Sequence, residues 1–207
     1  YDYTNDTFLF EKNADSKAYP ASTTKIITAL AAVKYAPLDL KITVGDELDV
    51  MYEGSSPGTA GSKKGQVWTL RQLLYAMLLP SGNDSAYSIA AGVARSIPGN
   101  ENKSTRELLS YFKELMNDVR DQVGATNSNF MNPSGLYDDD HYTTAYDLYL
   151  IFNECIKHEE FIKIISAESY TAEITKSDGS IEKLKWEPTN YYALGSAKCP
   201  ENVTIVG

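Results

Sequence analysis

Four apolar stripes at helical spacing follow one another between residues 69 and 157 with no strand pattern among them, and this run constrains the fold most. Thr69 to Leu79 carries Leu70, Leu73, Leu74, Met77 and Leu78, and Pro80 stops it, since proline lacks the N–H that a helix interior needs. Asn83 to Ser96 carries Ala86, Ile89, Ala90, Val93 and Ala94. Ser104 to Val123 opens on a Ser104/Glu107 capping box, carries Leu108, Leu109, Phe112, Leu115, Met116, Val119 and Val123, and closes on Gly124. Thr144 to Lys157 carries Ala145, Leu148, Ile151, Phe152 and Cys155. These stripes read as core and are assigned no chemistry.

Sheet-forming segments lie on either side of this block. Tyr1–Tyr3 and Phe8–Phe10 flank Thr4-Asn5-Asp6-Thr7 and predict a hairpin. Asp39 to Val50 alternates weakly (Leu40, Ile42, Val44, Leu48, Val50) and predicts short strands. Tyr52 to Gly65, rich in Gly and Ser with Pro57, predicts a long loop of the kind that walls a cleft. Tyr170–Thr175 and Ile181–Trp186 flank Lys176-Ser177-Asp178-Gly179-Ser180, where Asp-Gly signals a hairpin. Val203–Val206 opens another strand. The pattern predicts an α+β architecture, an antiparallel sheet packed by helices, with a helical block inserted between sheet-forming ends.

Composition narrows the function classes. The chain has 207 residues, is 43% hydrophobic and can bury a sizeable core. A net charge of −9 with no Lys/Arg-rich run argues against nucleic acid and against direct adhesion to anionic lipid. No apolar run approaches the length of a membrane span. Of the two cysteines, Cys155 and Cys199, the first falls on the apolar side of a predicted helix, where a buried thiol is expected over a bridge. With His141 and His158 the only histidines and no Cys-x-x-Cys, no metal site is expected.

The chemistry centres on Pro20-Ala21-Ser22-Thr23-Thr24-Lys25, the start of an apolar helix running to Tyr35. Residues three apart share a helix face, so Ser22 and Lys25 are neighbours. A serine hydroxyl needs an adjacent base to become a nucleophile, and a buried lysine near a helix N-terminus can be that base. Alone, the pair also reads as an N-cap and a solvated first-turn lysine. A second polar break, Pro80-Ser81-Gly82-Asn83-Asp84-Ser85-Ala86, sits between two apolar helices, where Asn83 could be a mere N-cap. Together the two segments match the Ser-x-x-Lys and Ser-x-Asn elements of penicillin-recognising serine enzymes.

On these motifs the chain resembles the low-molecular-mass penicillin-binding proteins that are D-alanyl-D-alanine carboxypeptidases. The likeness extends through Gly65 to Leu74, Met116-Asn117, Gly124, Asn132-Pro133-Ser134-Gly135-Leu136 and His141 to Leu148. The resemblance implies a serine β-lactamase/DD-peptidase-like fold: one transpeptidase-like catalytic domain over 1–207, with a helical subdomain at about 66–157. It implies a hydrolase of cell-wall stem peptides ending in D-Ala-D-Ala. Ser22 would form an acyl-enzyme, Lys25 would take its proton, Ser81 would relay a proton to the leaving amine, and Asn83 would hold Lys25 and the substrate amide. Ser22, Gly82 and Asn83 would contact substrate, with no cofactor. β-Lactams would acylate Ser22. The implied location is extracytoplasmic, with peripheral membrane association through a segment not in this chain.

The third family motif, Lys-Thr-Gly, occurs nowhere in the sequence; Lys176-Ser177-Asp178-Gly179 sits on a predicted turn. The resemblance places that motif on a strand shortly beyond Gly207, so a longer chain with further sheet strands is expected. Two alternatives stay open: a serine β-lactamase, although the Leu-Asn of a class A deacylation loop is absent, and a β-lactam- or peptidoglycan-binding module without turnover. Asn132-Pro133-Ser134-Gly135 reads as a turn rather than a site. His141 and Asp147 read as a capping and loop-fixing pair rather than as a triad with Ser22.

Overall fold

A computed structural model of the chain describes residues 2, 4–5, 7–52 and 58–189. Its centre is α1 (Thr24–Tyr35), entered through a single 3-10 turn at Ala21–Thr23. Thr24, Lys25 and Ile27 to Ala32 are all buried, and the helix packs against α3 (Leu70–Leu78), α4 (Asn83–Ser96), α5 (Thr105–Gln122) and α6 (Ala145–Cys155). A helix apolar on most of its surface has to sit inside such a shell.

The expected helices form where their stripes lie, and their ends follow local chemistry. Thr69 and Gln72 close a capping box on α3, and Ser104 and Glu107 do so on α5, each satisfying backbone N–H groups that the first turn leaves without partners. Gly124, at φ 80°, ends α5 in the left-handed conformation that glycine adopts without steric cost. Thr144 caps α6 by accepting from the Asp147 N–H at 3.0 Å.

The sheet is antiparallel, in the order β1 (Lys41–Thr43), β2 (Val67–Thr69), β3 (Tyr170–Thr175), β4 (Ile181–Trp186). β3 and β4 form the hairpin expected around Asp178-Gly179, with Ala172 opposite Leu184. Val67 opposite Thr175 joins it to the β1–β2 pair. The helices from α3 onward are inserted between β2 and β3, which is the α+β arrangement expected. Gly92 lets α4 approach β1, because a Cβ there would lie 2.5 Å from Ile42 Cγ2.

Several expectations need correction. Leu48 and Val50 are not on a strand but on α2 (Glu47–Tyr52), where Leu48 and Met51 are buried one turn apart. Glu47 fixes that helix: its Oε1 accepts from the Gly45 N–H at 2.8 Å and from Ser88 Oγ at 3.0 Å. β2 was hidden in front of a stronger helix stripe, and a further short helix, α7 (Glu159–Ile165), carries the helices to residue 165 rather than 157. Of the N-terminal hairpin, the described residues show one bridge, Asp2 with Thr7, and residues 1, 3 and 6 lie outside the described residues; Phe8, Leu9 and Phe10 are exposed. A two-stranded ribbon has little stability of its own. Cys155 is buried with a free thiol that burial pushes up in pKa. Cys199 and the strand expected at 203–206 lie outside the described residues.

Candidate active site

The chain enters α1 under constraint. Pro20 is buried, and Ala21 takes a left-handed conformation, φ 47°, which costs a non-glycine residue roughly 1–3 kcal/mol. Thr23 Oγ1 donates to the Pro20 carbonyl at 2.6 Å and tightens the turn. Ser22 is not an N-cap: it sits in the 3-10 turn, solvent-exposed, immediately before α1. One turn on, Lys25 is only 2% exposed.

Lys25 Nζ lies 3.1 Å from Ser22 Oγ, 2.7 Å from Asn83 Oδ1 and 3.0 Å from the Ser134 carbonyl oxygen. Burial lowers its pKa from 10.5 to about 8, against an opposing pull from Asp84. The three partners differ in kind. The Asn83 oxygen and the Ser134 carbonyl only accept, whereas a serine hydroxyl can also donate. When Lys25 is neutral, its two N–H groups go to the two obligate acceptors, and its lone pair is left facing Ser22. The arrangement therefore orients a base at a hydroxyl that is open to solvent.

Asn83 is the first residue of α4, and its N–H donates to the Gly58 carbonyl at 2.8 Å. Asp84, fully buried, anchors the same turn: Oδ1 accepts from the Ala60 and Ser85 N–H groups at 2.8 and 2.9 Å, and Oδ2 from the Ser62 N–H at 2.8 Å. Gly82 has a steric role here, since a Cβ would lie 2.7 Å from both Ala60 Cβ and the Ala76 carbonyl oxygen. Ser81 occupies the bend before it at φ 63°, and among the described residues its hydroxyl makes no hydrogen bond. Ser22, Lys25 and Asn83 are thus joined through the amine, while Ser81, two residues before Asn83, makes no hydrogen bond with them.

The Asn132 turn contributes what the sequence did not reveal. It is a turn, as expected, built on Asn132 Oδ1, which accepts from the N–H groups of Ser134, Gly135 and Leu136 at 3.2, 2.8 and 3.0 Å. It also delivers the Ser134 carbonyl to Lys25. Gly135, at φ 88°, admits no side chain, because a Cβ would fall 1.8 Å from the Ala21 carbonyl oxygen. Tyr87, one helical turn beyond Asn83, lies beside the Ser134 side chain.

His141 and Asp147 do not approach Ser22. His141 Nδ1 accepts from the Met131 N–H at 3.2 Å, so Nε2 carries the proton and donates to Thr24 Oγ1 at 2.8 Å. Burial lowers its pKa to about 4, which keeps the ring neutral. Asp147 accepts from Ser128 Oγ at 2.6 Å. His141 thereby holds the first residue of α1, and Asp147, at the start of α6, holds Ser128.

Comparison with known proteins bears on this geometry. A family profile described as D-alanyl-D-alanine carboxypeptidase matches residues 1–197. A D-alanyl-D-alanine carboxypeptidase of Streptomyces sp. (strain K15) is 30% identical over 187 residues, 89% of this chain and 62% of that protein. The D-alanyl-D-alanine carboxypeptidase DacF of Bacillus subtilis (strain 168) is 31% identical over 173 residues, 81% of this chain and 40% of that protein. The chain thus spans between two fifths and three fifths of the length of these curated relatives. The crystal structure of the Streptomyces K15 DD-transpeptidase superposes with a TM-score of 0.83 at 29% identity, covering 93% of this chain and 72% of that one.

Proposed function

Because the chain belongs to the D-alanyl-D-alanine carboxypeptidase family, we propose that it is a serine-type carboxypeptidase that removes the terminal D-alanine from peptidoglycan stem peptides ending in D-Ala-D-Ala. The observation that supports this most directly is Lys25, held by two acceptor-only oxygens with its lone pair towards Ser22. In this reading Ser22 Oγ attacks the carbonyl between the two D-alanines as its proton passes to Lys25 Nζ. The Ser22 backbone N–H supplies one donor to the oxyanion, an interaction of a kind worth a few kcal/mol of barrier. The C–N bond then breaks, and the Ser81 hydroxyl relays the proton from Lys25 to the leaving amine. D-Alanine departs, an ester remains on Ser22, and water attacks it with Lys25 again accepting the proton. Gly82 and Asn83 form the wall on which the substrate amide lies. β-Lactams, which mimic the scissile amide, acylate the same serine.

The chain reads as one transpeptidase-like catalytic unit whose helical block carries the Ser81–Asn83 wall. Its substrate places it outside the cytoplasmic membrane. Among the described residues no helix is long and apolar enough to cross a membrane.

The test is peptide mapping after penicillin labelling of the full-length protein, together with D-alanine release from a D-Ala-D-Ala peptide. The adduct is expected on Ser22, absent from Ser22→Ala, and formed faster as pH rises towards about 8, where Lys25 loses its proton. An adduct on Ser81 or Ser134 overturns the assignment. Labelling without D-alanine release identifies a binding module, and rapid penicillin hydrolysis identifies a β-lactamase.

A further inference from the structure

Two threonines on α1 are fully buried, and the mechanism uses neither. Thr24 and Thr28 lie four residues apart and share a helix face, with Lys25 next to Thr24. A hydroxyl buried without a partner is costly, so each has to find one. What they find is the turn at 131–135. Thr28 Oγ1 lies 2.8 Å from the Pro133 carbonyl oxygen, against 3.3 Å from the Thr24 carbonyl oxygen and 3.8 Å from Met116 Sδ. A hydroxyl has one hydrogen to donate, and the shortest contact takes it to Pro133. Thr24 Oγ1 accepts from His141 Nε2 at 2.8 Å, and Nδ1 of the same ring accepts from the Met131 N–H at 3.2 Å.

Three residues of the turn are therefore tied to consecutive parts of one helix face. Met131 is held through His141 and Thr24, Pro133 by Thr28, and Ser134 by Lys25. The last tie differs from the others, because in the proposed reaction the amine takes and gives up a proton. The other two carry no charge: Thr28 is neutral, and burial holds the His141 pKa near 4. Inside the turn, Asn132 Oδ1 binds the N–H groups of Ser134, Gly135 and Leu136, so a hold on Pro133 fixes the Ser134 carbonyl one residue on.

We infer that Thr28 and His141 are positioning residues for the base: they clamp the turn at 131–135 onto α1, so that the Ser134 carbonyl stays on Lys25 Nζ whatever the protonation of the amine. The inference rests on the carboxypeptidase reading and adds to it what keeps the base aimed. With the clamp open, the carbonyl moves away and water takes its place at the amine. Lys25 is then less dry, and its pKa moves from about 8 back towards the ordinary 10.5. The charges around it do not change with the clamp. Asp84 on α4 still pulls on Lys25, Asp138 acts on His141, and Asp147 on α6 is turned to Ser128.

The experiment follows acylation of the full-length protein by a fluorescent penicillin between pH 6 and pH 10. Thr28→Val replaces the hydroxyl by a methyl group. Its acid limb is expected about one pH unit above that of wild type, so that acylation is about tenfold slower at pH 7 and converges with wild type near pH 10. Thr28→Ser keeps the hydroxyl and should follow wild type. His141→Phe keeps a ring against Phe130 but loses both nitrogens, and it should move the limb in the same direction. It decides the matter should Thr28→Val not fold. An acid limb at the wild-type position in either folded variant overturns the clamp. So does an equal loss at every pH, which marks general destabilisation, and so does a Thr28→Ser that behaves like Thr28→Val. In all these cases wild type still labels on Ser22, and the carboxypeptidase reading stands. Wild type that neither labels on Ser22 nor releases D-alanine sinks that reading, and the clamp falls with it.

Discussion

Lys25 and Asp84 are two charged side chains buried to nearly the same extent in one small region, and they are held in opposite ways. Asp84 accepts from three backbone N–H groups, those of Ala60, Ser62 and Ser85. Backbone donors cannot titrate or swing away, so the carboxylate ties the loop at 60–62 to the first turn of α4. Lys25 meets three oxygens, one of them a hydroxyl that can reverse its role. Its proton is therefore the mobile part, and burial has moved its pKa down to about 8. Equal burial yields a fastener in one place and, in the proposed mechanism, a base in the other, and the partner's donor or acceptor chemistry decides which.

The contrast is broken most severely at the base. Lys25→Arg retains the positive charge but removes the lone pair, since guanidinium stays protonated at any working pH. General-base contributions run from a hundredfold to ten-thousandfold, so acylation by a fluorescent penicillin should slow by about a thousandfold. A near-native acylation rate in this variant would take Lys25 out of the mechanism. The fastener fails differently. Asp84→Ala leaves three buried N–H groups without acceptors, and each such group costs about 1–3 kcal/mol. Denaturant unfolding should show a loss of about 3 kcal/mol or more. Native stability in Asp84→Ala would mean that the loop at 60–62 does not depend on this carboxylate.

The sequence made the helices legible because their stripes and caps are local: the Ser104/Glu107 box and Pro80 needed no tertiary information. It also showed the Ser22–Lys25 pair and Asn83, since both rest on short spacings. What stayed hidden depends on long-range meeting. Leu48 and Val50 alternate like a strand, yet Ser88 on another helix holds Glu47 and stabilises a helix there. The Ser134 carbonyl is a backbone atom with no residue signature, and its place beside Lys25, 109 residues away in the chain, follows from Gly135 backing onto Ala21. The signal that could have exposed it was the demand of Lys25 itself. An amine buried beside Ser22 and Asn83 still needs a third partner, and an Asn-Pro-Ser-Gly turn offers outward carbonyls.

The smallest expected effect sharpens the contrast by pH. The folded pKa of Lys25 lies near 8, below the 10.5 of an unperturbed lysine, so between these values the unfolded chain binds the proton that the folded chain has released. Stability contributed by Lys25 therefore rises with pH across that window, is complete above 10.5, and is lost as pH falls through about 8. From pH 8 to pH 9.5 the gain is about 2 kcal/mol at most. Other groups contribute to the pH dependence of stability, so the quantity to measure is the difference between wild type and Lys25→Met in matched urea titrations. That difference should shift in favour of wild type as pH rises from 8 to 9.5. Below pH 7, where lysine is protonated in both folded and unfolded chains, it should be flat. A flat difference across the whole range would mean that the amine is protonated in the folded protein up to its ordinary pKa. Lys25 would then be a second fastener, like Asp84, and not a base.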